Sequence, residues 1–141
     1  MKAFALWAGL ILLLFTGLGL TAHLTRSVTA EKILVAVDVS GSLEDVKHRL
    51  PQALAFLEAK RYAQFKIVTN SANRSLRVIQ DWAPALDLAS VERIKMYAPL
   101  DLNLLLQFDE VKTADSVIFV TNAEDTTPLA GVPRSRIVRV R

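Results

Sequence analysis

The stretch from residue 33 to residue 43, Ile-Leu-Val-Ala-Val-Asp-Val-Ser-Gly-Ser-Leu, constrains the fold more than any other part of the chain. A continuous apolar run rich in β-branched residues is typical of a strand buried on both faces of a parallel sheet, and ligand sites in such sheets form beyond the carboxyl ends of the strands. Asp38, Ser40 and Ser42 lie at that end, and Gly41 allows a tight turn between the serines. The sequence therefore predicts an oxygen-rich site at the end of a buried strand.

Strand patterns alternate with helical patterns along the rest of the chain. Residues 43–60 carry apolar side chains at helical spacing, with a kink expected at Pro51. A strand at residues 65–69, a turn at 70–73 and a returning strand at 76–79 predict a hairpin. This alternation predicts an α/β fold with a three-layer, Rossmann-like sheet, mostly parallel with one antiparallel hairpin strand. The remaining predicted elements are helices near residues 88–94 and 104–111 and strands at 117–121 and 137–140, the last an edge strand marked by its arginines.

Residues 3–22 contain no charged side chain. About 20 residues at roughly 1.5 Å each span the ~30 Å hydrocarbon core of a bilayer, so this segment predicts an N-terminal hydrophobic helix that enters a membrane. It is either a transmembrane anchor or a signal peptide, with Lys2 as the basic start and Val28-Thr29-Ala30 as a small-residue cleavage site. We expect residues 1–30 to form this segment and a short connector. Residues 31–141 should form one domain outside the cytoplasm, membrane-anchored or exported.

The composition excludes several classes of function. The chain has 17 Lys and Arg against 14 Asp and Glu, and since Lys2 and Arg26 belong to the N-terminal segment, the remainder is nearly neutral. No basic stripe interleaved with aromatic residues occurs, so we expect no nucleic-acid partner. The absence of cysteine excludes disulfides and thiolate metal sites. Neither histidine has the partners of a hydrolytic triad, and we expect that the protein is not an enzyme.

The pattern Asp38-x-Ser40-x-Ser42 resembles the metal-ion-dependent adhesion site of von Willebrand factor A (VWA) domains. The resemblance implies a VWA-like sheet and a bound Mg²⁺ or Mn²⁺, because carboxylate and hydroxyl oxygens are the hard ligands that these ions prefer. In that family, the ion captures a carboxylate from a partner protein. The resemblance therefore implies a protein–protein interaction module that binds through the loops at the carboxyl ends of its strands.

Three further segments resemble the same family in the same order, so the resemblance covers roughly residues 32–126. They are the strand and hairpin that begin at Phe65, the Leu-Asp-Leu-Asn loop at residues 100–103, and the strand that ends in Thr-Asn-Ala-Glu-Asp-Thr at residues 121–126. Only residues 122–135 separate the last two predicted strands, which is short for a helix with both its loops. We therefore expect a minimal VWA-like sheet of about five strands.

Two positions depart from the family pattern. Leu100 stands where the family usually has a metal-binding threonine, and Asn122 stands where it has a second aspartate. Both changes weaken a divalent site, since one removes an oxygen ligand and the other removes a negative charge. Asp101, Glu124 or Asp125 could replace the lost ligand, although a carboxylate bound directly would partly quench the attraction for a partner's carboxylate. The candidate metal ligands are Asp38, Ser40, Ser42, Asp101 and Asn122, and the candidate partner-binding residues are Asp101, Asn103, Glu124 and Asp125.

The same residues also allow interpretations in which no metal is bound. Ser42-Leu-Glu-Asp45 matches a helix-capping box, in which the hydroxyl satisfies an exposed amide at the start of the helix. Asp38 could cap its own turn by accepting the amides of Ser40 or Gly41, because a buried carboxylate must be hydrogen-bonded or paired. A scaffold subunit of a membrane complex, which keeps the fold without a working site, is therefore an alternative function.

A further alternative is an inactive relative of the haloacid-dehalogenase-like phosphatases. In that resemblance Asp38 is the nucleophile, Thr69-Asn70 the phosphate-binding motif, Lys95 the charge stabiliser and Asp125 a metal ligand. The family usually has a second aspartate two residues after the nucleophile, where this chain has Ser40, so the leaving group would lack its proton donor. A helix after the second strand would favour this family, and a hairpin there would favour the VWA-like sheet.

Overall fold

A computed structural model describes residues 2–71, 75–95 and 100–140. Contacts group the chain into two units, Met1–Ala30 and Glu31–Arg141. The first unit contains helix α1, Lys2–Val28, whose large apolar side chains are exposed. Its stretch Leu6–Val28 has a mean hydropathy of 1.7 and is long enough to cross a membrane, a property that signal sequences share. The predicted N-terminal apolar helix is therefore confirmed.

The second unit is built on a five-stranded mixed sheet with the order β3-β2-β1-β4-β5. Adjacent strands are parallel except β2 and β3, which pair as an antiparallel hairpin. The expected number of strands, the mostly parallel sheet and the hairpin are confirmed, and β5 is an edge strand as its arginines predict. The strands are β1 (Glu31–Val37), β2 (Ala63–Asn70), β3 (Leu76–Ala83), β4 (Ser116–Thr121) and β5 (Ser135–Arg139).

Six helical segments connect these strands in the described residues of the second unit. They are the 3₁₀ helix η1 (Gly41–Arg49) and the α-helices α2 (Leu50–Glu58), α3 (Leu88–Glu92), α4 (Leu102–Gln107), α5 (Asp109–Thr113) and α6 (Thr127–Ala130). The loop expected around Pro99 and the turn residues Ala72 and Asn73 lie outside the described residues.

The helix predicted at residues 43–60 is wrong in its first half, where the chain forms η1. Pro51 accounts for the change, because proline has no amide hydrogen and its ring clashes with the carbonyl four residues earlier in an α-helix. At the start of α2, proline is tolerated, since the first amides of a helix have no partner within it.

The single helix predicted at residues 104–111 is also wrong, because it divides into α4 and α5 at Phe108. Phe108 has an extended backbone and packs against the core, while Asp109 and Glu110 place negative charge at the positive end of the new helix.

Strand β1 is buried on both faces, which explains its uninterrupted apolar sequence. Ile33, Val35 and Val37 pack against side chains of η1, α2 and α3 on one face of the sheet. Leu34 and Ala36 pack on the other face with side chains of α4, α5 and the segment around α6. Helices therefore cover both faces of the sheet. The turn after β1 lies at the edge of the sheet, between the two helical layers.

Candidate functional site

The carboxyl ends of β1 and β4 form the point at which the strand order of the sheet changes direction. After β1 the chain continues to β2 on one side, and after β4 it continues to β5 on the other side. The helix η1 packs on one face, whereas Leu129 of α6 packs on the opposite face. Loops that diverge in this way leave a crevice between two adjacent parallel strands, which is where open α/β sheets bind ligands.

Asp38 lies in this crevice, immediately after β1, and only 6% of its surface is exposed. Its Oδ1 accepts hydrogen bonds from the amides of Ser40, at 2.9 Å, and Leu100, at 3.3 Å. Its Oδ2 accepts the hydroxyl of Thr121, at 2.7 Å. The predicted cap of its own turn is therefore confirmed. The carboxylate also joins three segments, the turn after β1, the loop before α4 and the end of β4.

The two serines of the motif and Asn122 form a second hydrogen-bonded group beside Asp38. The hydroxyl oxygens of Ser40 and Ser42 are 3.0 Å apart. The hydroxyl of Ser42 donates to Asn122 Oδ1 at 3.0 Å, and Asn122 Nδ2 donates to the carbonyl of Ser42 at 2.6 Å. The capping-box interpretation of Ser42 is wrong, because the N-cap of η1 is Ser40 and the hydroxyl of Ser42 bonds to Asn122 instead. Ser40 itself makes no side-chain cap bond.

The acidic residues predicted to supplement the site are held in local turns. Asp101 caps α4, because its Oδ1 accepts the amides of Asn103, at 2.9 Å, and Leu104, at 3.3 Å. Asp125 Oδ1 accepts the amide of Thr127 at 2.9 Å, and hydrogen bonds from the side chain and the backbone of Thr127 hold the pKa of Asp125 below its usual value. Asn103 is exposed.

Glu124, the last predicted partner-binding residue, is exposed on the loop after β4. The guanidinium of Arg139 anchors this loop by donating to the carbonyl of Glu124, at 3.1 Å, and to the hydroxyl of Thr126, at 2.9 Å.

A cleft of about 320 Å³ opens beside Asp38. Two of its side chains are carboxylates, and most of the others are apolar. It is lined by Asp38, Leu100, Leu102, Thr121, Ala123, Asp125, Pro128 and Leu129. We call this cavity the switch-point cleft.

The donor set of the switch-point cleft fits a divalent ion only in part. Adjacent ligands in an octahedron with bonds of 2.0–2.1 Å are about 2.9 Å apart, which is close to the 3.0 Å between the Ser40 and Ser42 hydroxyls. However, Leu100 contributes an amide hydrogen in place of an oxygen, and protein donors engage both oxygens of Asp38. No group of three acidic or histidine side chains suited to a metal occurs in residues 2–71, 75–95 and 100–140. The cleft therefore lacks the side-chain oxygen that the predicted metal site needs at position 100.

The switch-point cleft brings together only part of the phosphatase set, because Asp38 and Asp125 line it while Thr69, Asn70 and Lys95 do not. The hydroxyl of Thr69 is buried and donates to the carbonyl of Val37 at 2.9 Å. Lys95 lines a different cavity, together with residues of β3. After Asn70 the chain returns as the antiparallel strand β3, which is the topology expected for the VWA-like sheet.

Sequence reasoning missed two donors that hold the site together, the hydroxyl of Thr121 and the amide of Leu100. The apolar pattern places Thr121 in a buried strand, and a polar residue at the end of such a strand is itself a signal, since a buried hydroxyl needs a partner. The amide of Leu100 carries no such signal, because a backbone contact between distant loops leaves no mark on side-chain identity.

Comparison with protein-family models gives no match for this chain. A search of curated proteins finds no relative. Function is therefore inferred from the geometry of the site and from the motif at Asp38.

Proposed function

We propose that this protein is an extracytoplasmic interaction module that binds a partner protein through the switch-point cleft and the loops around it. The observation that carries the proposal is the buried carboxylate of Asp38, which ties three loops together at the carboxyl ends of β1 and β4. Loops that are fixed before binding lose little conformational entropy when a partner docks, so more of the contact energy contributes to affinity.

The proposed fold family is a minimal VWA-like domain with a Rossmann-like, three-layer arrangement. Support comes from helices on both faces of the sheet, from the hairpin of β2 and β3, and from the Asp-x-Ser-x-Ser motif after β1. The exposed apolar helix α1 supports a membrane anchor or an export signal ahead of the domain.

The charge of the switch-point cleft indicates the kind of group that it accepts. Asp38 and Asp125 both line it, next to apolar side chains such as Leu102 and Leu129. An arginine or lysine suits this lining, since its apolar stem packs on hydrophobic surface while its charged end meets carboxylates. This preference is the reverse of a metal-loaded VWA domain, in which the bound cation attracts a carboxylate.

A weak Mg²⁺ or Mn²⁺ site is the second candidate, favoured by the 3.0 Å spacing of the two serine hydroxyls. The two candidates differ in their response to a chelator. Binding through hydrogen-bonded loops should persist in EDTA, whereas binding through a cation should be lost and should return with added Mg²⁺ or Mn²⁺.

Site-specific photo-crosslinking in the full-length chain tests the proposal. A benzophenone amino acid is placed at Ala123, which is exposed and lines the cleft, or at Ala59, which is exposed after α2. Ala59 is a matched control at the opposite end of the sheet, because its neighbour Lys60 pairs with Glu31 at the first residue of β1. We expect a discrete protein adduct from Ala123, with and without EDTA, and none from Ala59.

Equal adducts from both positions would contradict a binding face at the carboxyl ends of the strands. Adducts that form only from positions in α1 would instead support a scaffold role, in which the apolar helix packs in a membrane complex and the domain has no working site.

A further inference from the structure

A second cavity, of about 420 Å³, lies between the edge strand β3 and the region of α3. Its lining contains three basic side chains, one hydroxyl and three aliphatic side chains, and no acidic side chain among the described residues. The lining residues are Arg77, Val78, Ile79, Ser90, Arg93, Ile94 and Lys95. We call it the edge cleft.

The positive charge of the edge cleft is largely uncompensated. In the part of the chain that the structure describes, no carboxylate lies within 4.0 Å of Arg77, Arg93 or Lys95 in an ion pair. Asp87 accepts the hydroxyl and the amide of Ser90, which lower the pKa of Asp87, and the charge of Arg93 contributes to this lowering. Three cationic side chains that line one cavity repel one another, and a bound anion would relieve this repulsion.

The edge of β3 is poorly suited to a partner strand. Its pairing with β2 has two register shifts, between Phe65 and Ile67 and between Ile67 and Val68, so extra residues lie on the β3 side. Such bulges twist an edge and, with charged residues, protect it from strand addition. The cavity is lined by three consecutive residues of β3. Because consecutive side chains of a strand point to opposite faces of the sheet, a cavity that touches all three extends to the free edge of β3.

We propose that the edge cleft binds a phosphate ester. Two guanidinium groups can each hold two phosphate oxygens, and an ammonium group adds a third charged donor, which suits a dianion better than a single carboxylate. Ile79, which is half-buried and packs with the core cluster that contains Val91 of α3, offers an apolar surface to the organic part of the ligand. The phosphate ester belongs either to a soluble phosphorylated compound or to the headgroup of an anionic lipid. This inference is independent of partner binding at the switch-point cleft.

The test uses the full-length chain in nanodiscs of neutral lipid, with phenyl phosphate as the probe and phenylacetate as the carboxylate control. We expect phenyl phosphate to bind and phenylacetate to bind at least tenfold more weakly. The double variant Arg77→Gln/Arg93→Gln should weaken phenyl phosphate at least tenfold, while Arg61→Gln, an exposed arginine outside the cleft, should leave it unchanged. Both affected arginines are exposed, so folding should be retained, which circular dichroism verifies.

The lipid source is tested by native mass spectrometry of nanodiscs that contain phosphatidic acid. More lipid retained by the wild type than by the double variant would support the proposal with a headgroup as the source. Binding of phenyl phosphate alone would support it with a soluble ligand. Equal affinity for the carboxylate, an equal loss in Arg61→Gln, or no difference between wild type and double variant with either probe would overturn it.

Discussion

At the scale of single residues, the site depends on how a buried charge is satisfied. Removing a carboxylate from water costs several kcal/mol unless hydrogen bonds replace its hydration. Asp38 receives three such bonds, two from amides and one from the hydroxyl of Thr121. That hydroxyl also accepts the amide of Ala123, at 3.0 Å, and so links the end of β4 to the turn that follows it.

Thr121→Val should destabilise the domain by about 1–3 kcal/mol, because it leaves Asp38 Oδ2 and the amide of Ala123 without their partner while it keeps the shape of the side chain. Urea unfolding of the full-length chain in mild detergent measures the change. Thr113→Val is the matched control, since Thr113 is exposed and should change stability by less than about 0.5 kcal/mol. Equal effects of the two substitutions would show that the hydroxyl of Thr121 does not hold the site.

Lys66 is also a buried charge, with 8% of its side chain exposed. It pairs with Glu110 at 2.8 Å and with Asp81 at 3.0 Å, and its ammonium lies 5.5 Å from the centre of the Phe108 ring. Burial by itself lowers the pKa of Lys66, but the hydrogen bonds and charges of Glu110 and Asp81 outweigh it and raise the pKa above its usual value. Lys66 therefore stays charged and joins β2 to α5 and β3.

Glu110→Gln should cost about 1–3 kcal/mol, because it leaves the buried ammonium with one carboxylate. Asp81→Asn should cost less, because Asp81 is exposed and water screens its charge. The hydrogen bond from Lys66 lowers the pKa of Asp81 below 3.8. A lowered folded-state pKa stabilises the fold above pH 3.8, and this stability is lost as the pH falls through the lowered value. Urea unfolding at neutral and acidic pH measures both effects, and a larger cost for Asp81→Asn would contradict this assignment.

At the scale of elements, strands were predicted more successfully than helices for a physical reason. Strand β1 is covered on both faces, so its burial requires apolar residues at every position and leaves a clear signal. The helices are short, and local effects decide their geometry. Pro51 divides one predicted helix, and the extended backbone of Phe108 divides another. The spacing of apolar residues alone indicates neither division.

The candidate site was predictable to the extent that strand ends determine it. Asp38, Ser42 and Asn122 come together because β1 and β4 are adjacent and parallel. Asp101 was expected near the serines, but its carboxylate caps α4. A short acidic side chain at the start of a helix can cap the helix or extend into a neighbouring site. Only the three-dimensional path of the loop decides which of the two it does.

Helix α1 yields a prediction that uses the absence of cysteine from the chain. A single cysteine at Ala59 becomes the only thiol, and Ala59 is exposed. If the domain is extracytoplasmic, a membrane-impermeant maleimide added to intact cells or sealed spheroplasts should label this cysteine without permeabilisation. Labelling that requires permeabilisation would place the domain in the cytoplasm.

At the scale of the whole molecule, the domain carries two clefts of opposite charge. The switch-point cleft contains Asp38 and Asp125, and the edge cleft contains Arg77, Arg93 and Lys95. They are separated along the sheet, since β1 and β3 lie on opposite sides of β2. A basic group of a partner and a phosphate ester could therefore bind the same domain at once, without competition for the same side chains.

The central claim is that the switch-point cleft binds a partner without a metal ion. Its most direct test is the dissociation constant of the partner captured at Ala123, measured in EDTA for wild type, Ala123→Trp and Ala59→Trp. We expect Ala123→Trp, which fills the cleft, to weaken binding at least tenfold, about 1.4 kcal/mol, and Ala59→Trp to leave it unchanged. Equal affinity of all three proteins, or no binding until Mg²⁺ or Mn²⁺ is added, would contradict the claim.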